Sequence, residues 1–260
     1  MPRLLDLFCG AGGASVGYSR AGFDEIVGID LRSQPRYPFE FIRADALDYV
    51  LAHGGEFDVI HASPPCQFAS QAVKKINRAH RLNLIPAIRE LLIGLDRPYV
   101  IENVPTAREH LREPIQLCGS SFGLLVRRHR LFESNQWLWG RQCSHKEYPR
   151  QFAPAWNRTN LLRVLSVSGG YQQGRVDLDD QKRAMGITWD ITLNELSEAI
   201  PPAYTEFIGR ALIKELGWVD LTGKVTPIDP FDFQGVLKRL TRRRFSPYAW
   251  HLGTFRGEND

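Results

Sequence analysis

The chain has 260 residues, 43% of them hydrophobic and 24% charged, with a formal net charge of +4. That length holds one large core with a small appendage and excludes two full domains with separate cores, and the composition excludes a disordered or fibrous chain. No apolar run approaches the ~18 residues of a membrane span, and four scattered cysteines (Cys9, Cys66, Cys118, Cys143) give no disulfide framework, so a cytoplasmic protein with reduced thiols is expected.

The opening "MPRLLDLFCG" has an aspartate inside its apolar part and reads as a first strand, not a signal peptide. "GGASVGYSRAG" predicts a helix. "EIVGID" and "FEFIRAD" predict strands ending at Asp30 and Asp45. "EFDVIHAS" and "RPYVIENV" predict two more, with the helical pattern "RAHRLNLIPAIRELLIGL" between them. Apolar runs bounded by turns and alternating with helices predict an α/β fold, a mostly parallel twisted sheet of βαβ units. In such sheets ligands bind past the carboxyl ends of the strands, so Asp30, Asp45, Cys66 and Glu102 are expected to face one crevice.

"RRHRLF" places Arg128 and Arg130 on one side of a strand by its period of two. Residues 134–190 break the rhythm and predict a small irregular lobe. "TLNELSEAIPPAYTEFIGRALIKELG" returns to helix: Pro201 and Pro202 open it, Tyr204, Phe207, Ile208, Ala211, Leu212 and Leu216 share one face, and Gly217 stops it. The expected organisation is therefore 1–133, the lobe 134–190, a returning helix in 191–220 and a basic tail 221–260. In the tail, "KRLTRRR" (238–244) has five cations in seven positions, either a solvated face or a phosphate-binding patch. Only in the second case does deleting the tail weaken nucleic-acid binding and its salt dependence.

"DLFCGAGGASVGY" joins a strand to a helix through Gly10, Gly12 and Gly13, where bare backbone and helix N–H groups can meet a ligand. Ser15 stands where a nicotinamide-type loop has its third glycine, so that rival fits poorly. Asp30, about 20 residues on, suits a ribose diol; Asp45 suits an adenine amino group or a helix N-cap, roles that do not exclude each other. Cys66 in "HASPPCQFAS" follows a strand end on a turn stiffened by Pro64 and Pro65. A thiolate there suits addition onto an electron-poor ring. Glu102 in "VIENVP" is expected to be half-buried with a raised pKa, able to hold a proton for a ring nitrogen. "CSH" (Cys143, His145) has zinc-ligand chemistry, but Cys118 is the one other obvious thiol and four ligands are not visible, so no metal is expected.

In this order, "DLFCGAGG", "PPCQ" with Ser70 following, "ENV", R-x-R and "AIPPAY" resemble the cytosine-5 methyltransferase family over residues 3–133 and about 192–216. The resemblance implies a Rossmann-like S-adenosylmethionine-dependent methyltransferase whose Cys66 thiolate adds to carbon 6 of a flipped-out cytosine in double-stranded DNA. Glu102 would bond N3 and the amino group, Arg130 would touch the base, Arg128 would orient Glu102, Asn103 would hold the catalytic loop, and Gln67 stands beside the nucleophile. Phe8, Gly10, Ala11, Gly12, Gly13, Asp30, Asp45, Ala46 and Pro64 would line the S-adenosylmethionine site. The lobe 134–190 stands where the family keeps its target recognition domain.

The family's glycines before "PPCQ" are Ala62 and Ser63 here, its glutamine before R-x-R is Val126, and its Gly-Asn before the last motif is Ser197-Glu198. The resemblance implies a small bacterial or phage enzyme, monomeric, cytoplasmic, without membrane contact and with room for a cognate restriction endonuclease. The tRNA branch of the family uses the same catalytic residues, and an inactive DNA-binding homologue is the reading from another class.

Overall fold

A computed structural model describes residues 2–65, 82–143, 145, 167 and 177–217. The chain divides into two units, Met1–Val225 and Thr226–Asp260, and the described residues all belong to the first. The basic cluster 238–244 therefore lies outside the described residues, as do Cys66, Gln67 and Ser70.

The strands are β1 (Arg3–Leu7), β2 (Glu25–Asp30), β3 (Glu40–Arg43), β4 (Val59–Ala62), β5 (Tyr99–Asn103), β6 (Ile115–Leu117) and β7 (Arg130–Ser134), and they form one sheet in the order β3-β2-β1-β4-β5-β7-β6. β1 to β5 pair in parallel, while β7 runs antiparallel to both its neighbours. The strand order reverses between β1 and β4, the switch point where such sheets open a crevice at their carboxyl edge.

Helices α1 (Gly13–Ala21), α2 (Ala46–His53), α3 (Ile85–Gly94), α4 (Leu178–Met185), α5 (Leu193–Glu198) and α6 (Pro202–Glu215) complete the described elements. Side chains alternate across β1, which is buried on both faces. Leu5 and Leu7 pack with Val50 of α2 and with Ile85, Ile88 and Leu92 of α3. Leu4 packs on the other face with Tyr18 of α1 and with Tyr204, Ile208 and Leu212 of α6. The sheet is thus covered by helices on both sides.

The α1–α6 contact is unusually close. A Cβ built on Gly17 would lie 2.0 Å from Thr205 Oγ1 and 2.2 Å from the Pro202 carbonyl oxygen, and one on Gly209 would lie 2.7 Å from Ala21 Cβ. Two glycines facing opposite helices let the backbones touch, which explains why Thr205 and Gly209 are buried beside the apolar face read from the sequence. Gly217, at φ +69, ends α6 as expected.

Two segments differ from the sequence reading. Residues 177–190, read as part of an irregular lobe, contain α4, capped by the Asp177 side chain and by left-handed Gly186. Ala184, Met185, Ile187 and Ile191 pack there with Ala11, Val126 and Leu196. Only eight residues long, α4 is too short for periodicity to reveal. Arg128 and Arg130 do not share a strand face, because β7 begins at Arg130 and residues 127–129 approach it outside the ladder.

Candidate active site

The glycine loop leaves β1 in a strained path. Phe8 has φ 59, Gly10 φ 49 and Gly12 φ 86. A side chain at positive φ is disfavoured for Phe, so the surrounding bonds must hold the loop. Cys9 N–H donates to the Ile29 carbonyl (3.0 Å), and Gly10 N–H donates to Asp30 Oδ2 (3.2 Å). Asp30 Oδ1 accepts from Arg32 N–H at 2.9 Å. The carboxylate at the end of β2 therefore fastens the loop at the end of β1. A Cβ at Gly10 would meet nothing within 4 Å, so open space lies against this backbone. Trp189 Nε1 donates to the Ala11 carbonyl (3.1 Å), and Gly13 lies against Ile200, where its Cβ would come within 2.4 Å of the carbonyl oxygen. Leu31, next to Asp30, is 66% exposed.

At the next strand ends, Ser63 N–H donates to the Leu7 carbonyl (3.1 Å) and Asn103 Nδ2 donates to the Pro64 carbonyl (2.9 Å). These bonds fix the backbone that leads directly into Cys66. Glu102, buried on β5, has Arg130 Nε 2.9 Å from its Oε1. The approach lacks the direction of a hydrogen bond, so Oε1 accepts none among the described residues. Burial raises the Glu102 pKa above the ordinary carboxylate value; the Arg130 and Arg128 charges and a bond from Ser63 oppose it. Arg128 reaches past the glutamate: Nη1 donates to the Val167 carbonyl (3.1 Å) and Nη2 to the Ser197 carbonyl (2.5 Å). Its own carbonyl accepts from the Tyr204 hydroxyl at 2.7 Å.

Behind these groups lie two buried polar chains that sequence reading missed. Ser15 Oγ donates to Asp6 Oδ2 and lies 2.6 Å from the Tyr37 hydroxyl, while Asp6 Oδ1 has no partner among the described residues. Burial raises the Asp6 pKa to about 7, with the Ser15 bond opposing and Asp30 adding. His61 bridges the Tyr18 hydroxyl (Nδ1, 3.0 Å) and Ser63 Oγ (Nε2, 2.9 Å), and burial lowers its pKa to about 3. Ser63 thus links His61 to Glu102. The signals available were an aspartate inside an apolar strand and a histidine inside "FDVIHAS".

These two groups act oppositely on stability. Folded Asp6 holds an extra proton between its ordinary value of 3.8 and about 7, so its contribution is lost as pH rises through that window. Folded His61 lacks a proton that the unfolded chain binds between about 3 and 6.5, so its contribution is lost as pH falls. In the overlap they offset each other. Asp6→Asn is expected to gain stability relative to the parent as pH rises from acid to neutral, by up to about 1.4 kcal/mol per pH unit. Urea unfolding of both proteins at a series of pH values checks this; a pH-independent difference would show that Asp6 titrates normally.

Of the four residues expected to share a crevice, Asp30 and Glu102 stand at strand ends of one sheet edge, together with the glycine loop, Pro64 and Asn103, and Cys66 lies outside the described residues. Asp45 is the N-cap of α2, its Oδ1 accepting from the N–H groups of Leu47 (2.8 Å) and Asp48 (3.3 Å), and it is exposed. Ala46 is buried in the core. Among the described residues, Cys118, His129, Cys143 and His145 converge, with one ligand atom of each within 4.8 Å of the others. That corrects the sequence reading that four ligands are not visible. In the sequence His129 stands inside "RRHRLF", more than ten residues from any of the thiols.

Residues 2–116 match the family model described as C-5 cytosine-specific DNA methylase. Two Type II methyltransferases of Herpetosiphon aurantiacus, M.HgiDI and M.HgiGI, are each 29% identical over 119 residues, 41% of this chain. The match spans 38% of the first relative's length and 93% of the second's. A solved structure described as a DNA modification methyltransferase encoded within a prophage (E. coli) aligns with TM-score 0.56 at 16% identity, covering 84% of this chain and all of that one. The S. pombe Dnmt2 methyltransferase aligns with TM-score 0.53 at 14% identity over 84% of this chain and 99% of its own. These structural likenesses establish the methyltransferase fold.

Proposed function

Because the chain belongs to the C-5 cytosine-specific DNA methylase family, we propose that it transfers a methyl group from S-adenosylmethionine to carbon 5 of a cytosine in double-stranded DNA. The observation that carries the reading is Glu102: a buried carboxyl with a raised pKa, beside Arg130, one strand away from the proline turn that enters Cys66. An acid of that kind suits N3 of cytosine, since protonation there makes carbon 6 electrophilic. The Cys66 thiolate forms a bond to carbon 6, and the ring's electron pair moves to carbon 5. Once carbon 5 is methylated, loss of its proton and expulsion of Cys66 restore the aromatic ring. The base must leave the duplex for this chemistry.

The residues at the β1 and β2 ends fit S-adenosylmethionine. Gly10 offers open backbone, the Asp30 carboxylate at the end of β2 suits a ribose diol, and exposed Leu31 suits the face of an adenine ring. When bound, the cofactor supplies an electrophilic methyl group. Asp45 Oδ2 is free of the capping bonds made by Oδ1 and suits the adenine amino group. Arg130 holds the charge of Glu102, and Asn103 holds the entry to the Cys66 loop. The lobe that follows β7 would read the DNA, and the Type II names of the two relatives are in keeping with a cognate restriction endonuclease as partner. A monomeric, cytoplasmic enzyme remains part of this reading; among the described residues no helix is long and apolar enough to cross a membrane.

The test is transfer of label from S-adenosylmethionine into duplex DNA and, in parallel, total tRNA, with the modified base identified by mass spectrometry. The expected result is 5-methylcytosine in DNA. Label in tRNA alone moves the protein to the RNA branch. No label in either, with cofactor binding intact, replaces the enzyme by a DNA-binding regulator.

A further inference from the structure

We propose that Cys118, His129, Cys143 and His145 bind a structural zinc ion that staples the chain after β7 onto the β6–β7 hairpin. The four residues come from three separate places. Cys118 directly follows β6, and His129 directly precedes β7. The antiparallel register pairs Leu117 with Arg130, so the next residues outward, Cys118 and His129, come opposite one another. Cys143 and His145 belong to the segment that leaves β7 and turns back.

Three contacts besides the cluster bring that segment back. The Arg141 guanidinium lies 4.7 Å from the centroid of the Phe122 ring and 5.4 Å from that of Phe207. The Ser121 hydroxyl donates to the Gln142 carbonyl at 2.7 Å.

The four ligand atoms lie close enough together to close on one ion. Cys118 Sγ lies 3.2 Å from His145 Nε2, and Cys143 Sγ lies 3.3 Å from His129 Nε2. Zinc–sulfur bonds of about 2.3 Å and zinc–nitrogen bonds of about 2.0–2.1 Å give a tetrahedral S–N edge of about 3.5 Å. Both sulfur–nitrogen separations are close to that edge, and all four atoms lie within 4.8 Å of one another. The two imidazoles present the same nitrogen, Nε2, to the cluster, with ring centroids 5.0 Å apart at 67°. Two soft thiolates with two imidazoles select zinc over oxygen-loving cations, and four protein ligands leave no open position, so the role is structural. Two thiolates also cancel the ion's charge. Ser120 Oγ, 3.2 Å from Cys118 Sγ, can donate to the thiolate as an outer partner.

His129 stands between Arg128 and Arg130. Fixing its ring fixes the backbone of both arginines, one of which stands 2.9 Å from Glu102. The ion is a positioning device and takes no part in the chemistry.

The test uses the full chain purified without chelator under reducing conditions, with zinc measured by elemental analysis and the site probed by cobalt substitution. About one zinc per chain is expected, and Co(II) should give intense tetrahedral visible bands with a thiolate charge-transfer band. Cys143→Ser and His145→Ala should each weaken retention of the metal, and the double variant should abolish the cobalt spectrum. Zinc stripped from the parent chain should lower its melting temperature, and Zn(II) but not Mg(II) should restore it, a readout that stands even if a variant fails to fold. Less than about a tenth of an equivalent of zinc, with no cobalt bands, would overturn the proposal. So would a Cys118–Cys143 disulfide in the freshly purified metal-free protein. Neither readout depends on methyl transfer.

Discussion

Cys66→Ala is expected to abolish methyl transfer, a loss of roughly three orders of magnitude or more, while the folded protein and its binding of S-adenosylmethionine stay intact. The expectation follows from how the site is divided. The proposed cofactor side is built by β1, β2 and α1, with Gly10 and Asp30 fastened to each other. The proposed nucleophile, Cys66, follows in sequence the backbone of Ser63 and Pro64, which is held by the Leu7 carbonyl and by Asn103. Removing one sulfur from Cys66 takes away none of these bonds. Glu102→Gln is expected to cost less, about a hundredfold, because an amide can still bond the base but cannot hold the proton. Steady-state rates with labelled cofactor, alongside equilibrium binding, check both. Turnover of Cys66→Ala near that of the parent would remove the covalent mechanism.

The second large effect is on stability. Glu133→Ala is expected to destabilise the fold by about 3–5 kcal/mol, because it strands the Arg89 guanidinium in the interior. Glu133 and Arg89 are 1% and 5% exposed, and they pair through two bonds of 2.6 Å, Nε to Oε1 and Nη2 to Oε2. Arg112 N–H also donates to Oε2 (2.7 Å), and Arg89 Nη2 reaches the His110 carbonyl (2.6 Å). One carboxylate therefore binds α3, β7 and the turn before β6 together. Replacing both partners by Leu and Met should cost much less than the single change, since neither charge is then left alone. Urea unfolding of the three proteins measures this, and a single-variant loss below about 1 kcal/mol would mean that the interior rehydrates around Arg89.

Much of this architecture is legible in the sequence because it is local. The five parallel strands announce themselves as apolar runs, the glycines of the first loop mark a strand-to-helix turn, and Glu102 is polar in a run that is otherwise apolar. Asp45 shows its capping role by preceding "ALDYVL". The features missed depend on residues distant in sequence. Asp6 accepts from Ser15, whose hydroxyl also meets Tyr37, and His61 is bridged between Tyr18 and Ser63, where burial lowers its pKa. Arg128 leaves its strand because the carbonyls of Ser197 and Val167 and the hydroxyl of Tyr204 compete for it. The Cys118–His129–Cys143–His145 spacing follows no short motif, so only the hairpin register brings the first two together.

The close fit of α6 against α1 bears on how the chain is made. During synthesis β1 to β5 emerge first, and they carry Leu4, Ile26, Val59 and Val100 on the face that α6 covers. Until Pro202–Glu215 leave the ribosome, part of that face has no lid, and neither can Thr205 and Gly209 meet α1. The nascent protein therefore carries an apolar surface through the translation of about a hundred codons after β5, at roughly 5–20 residues per second. A polypeptide ending before residue 202 would keep the surface for good, and the cell would meet it as an aggregating fragment.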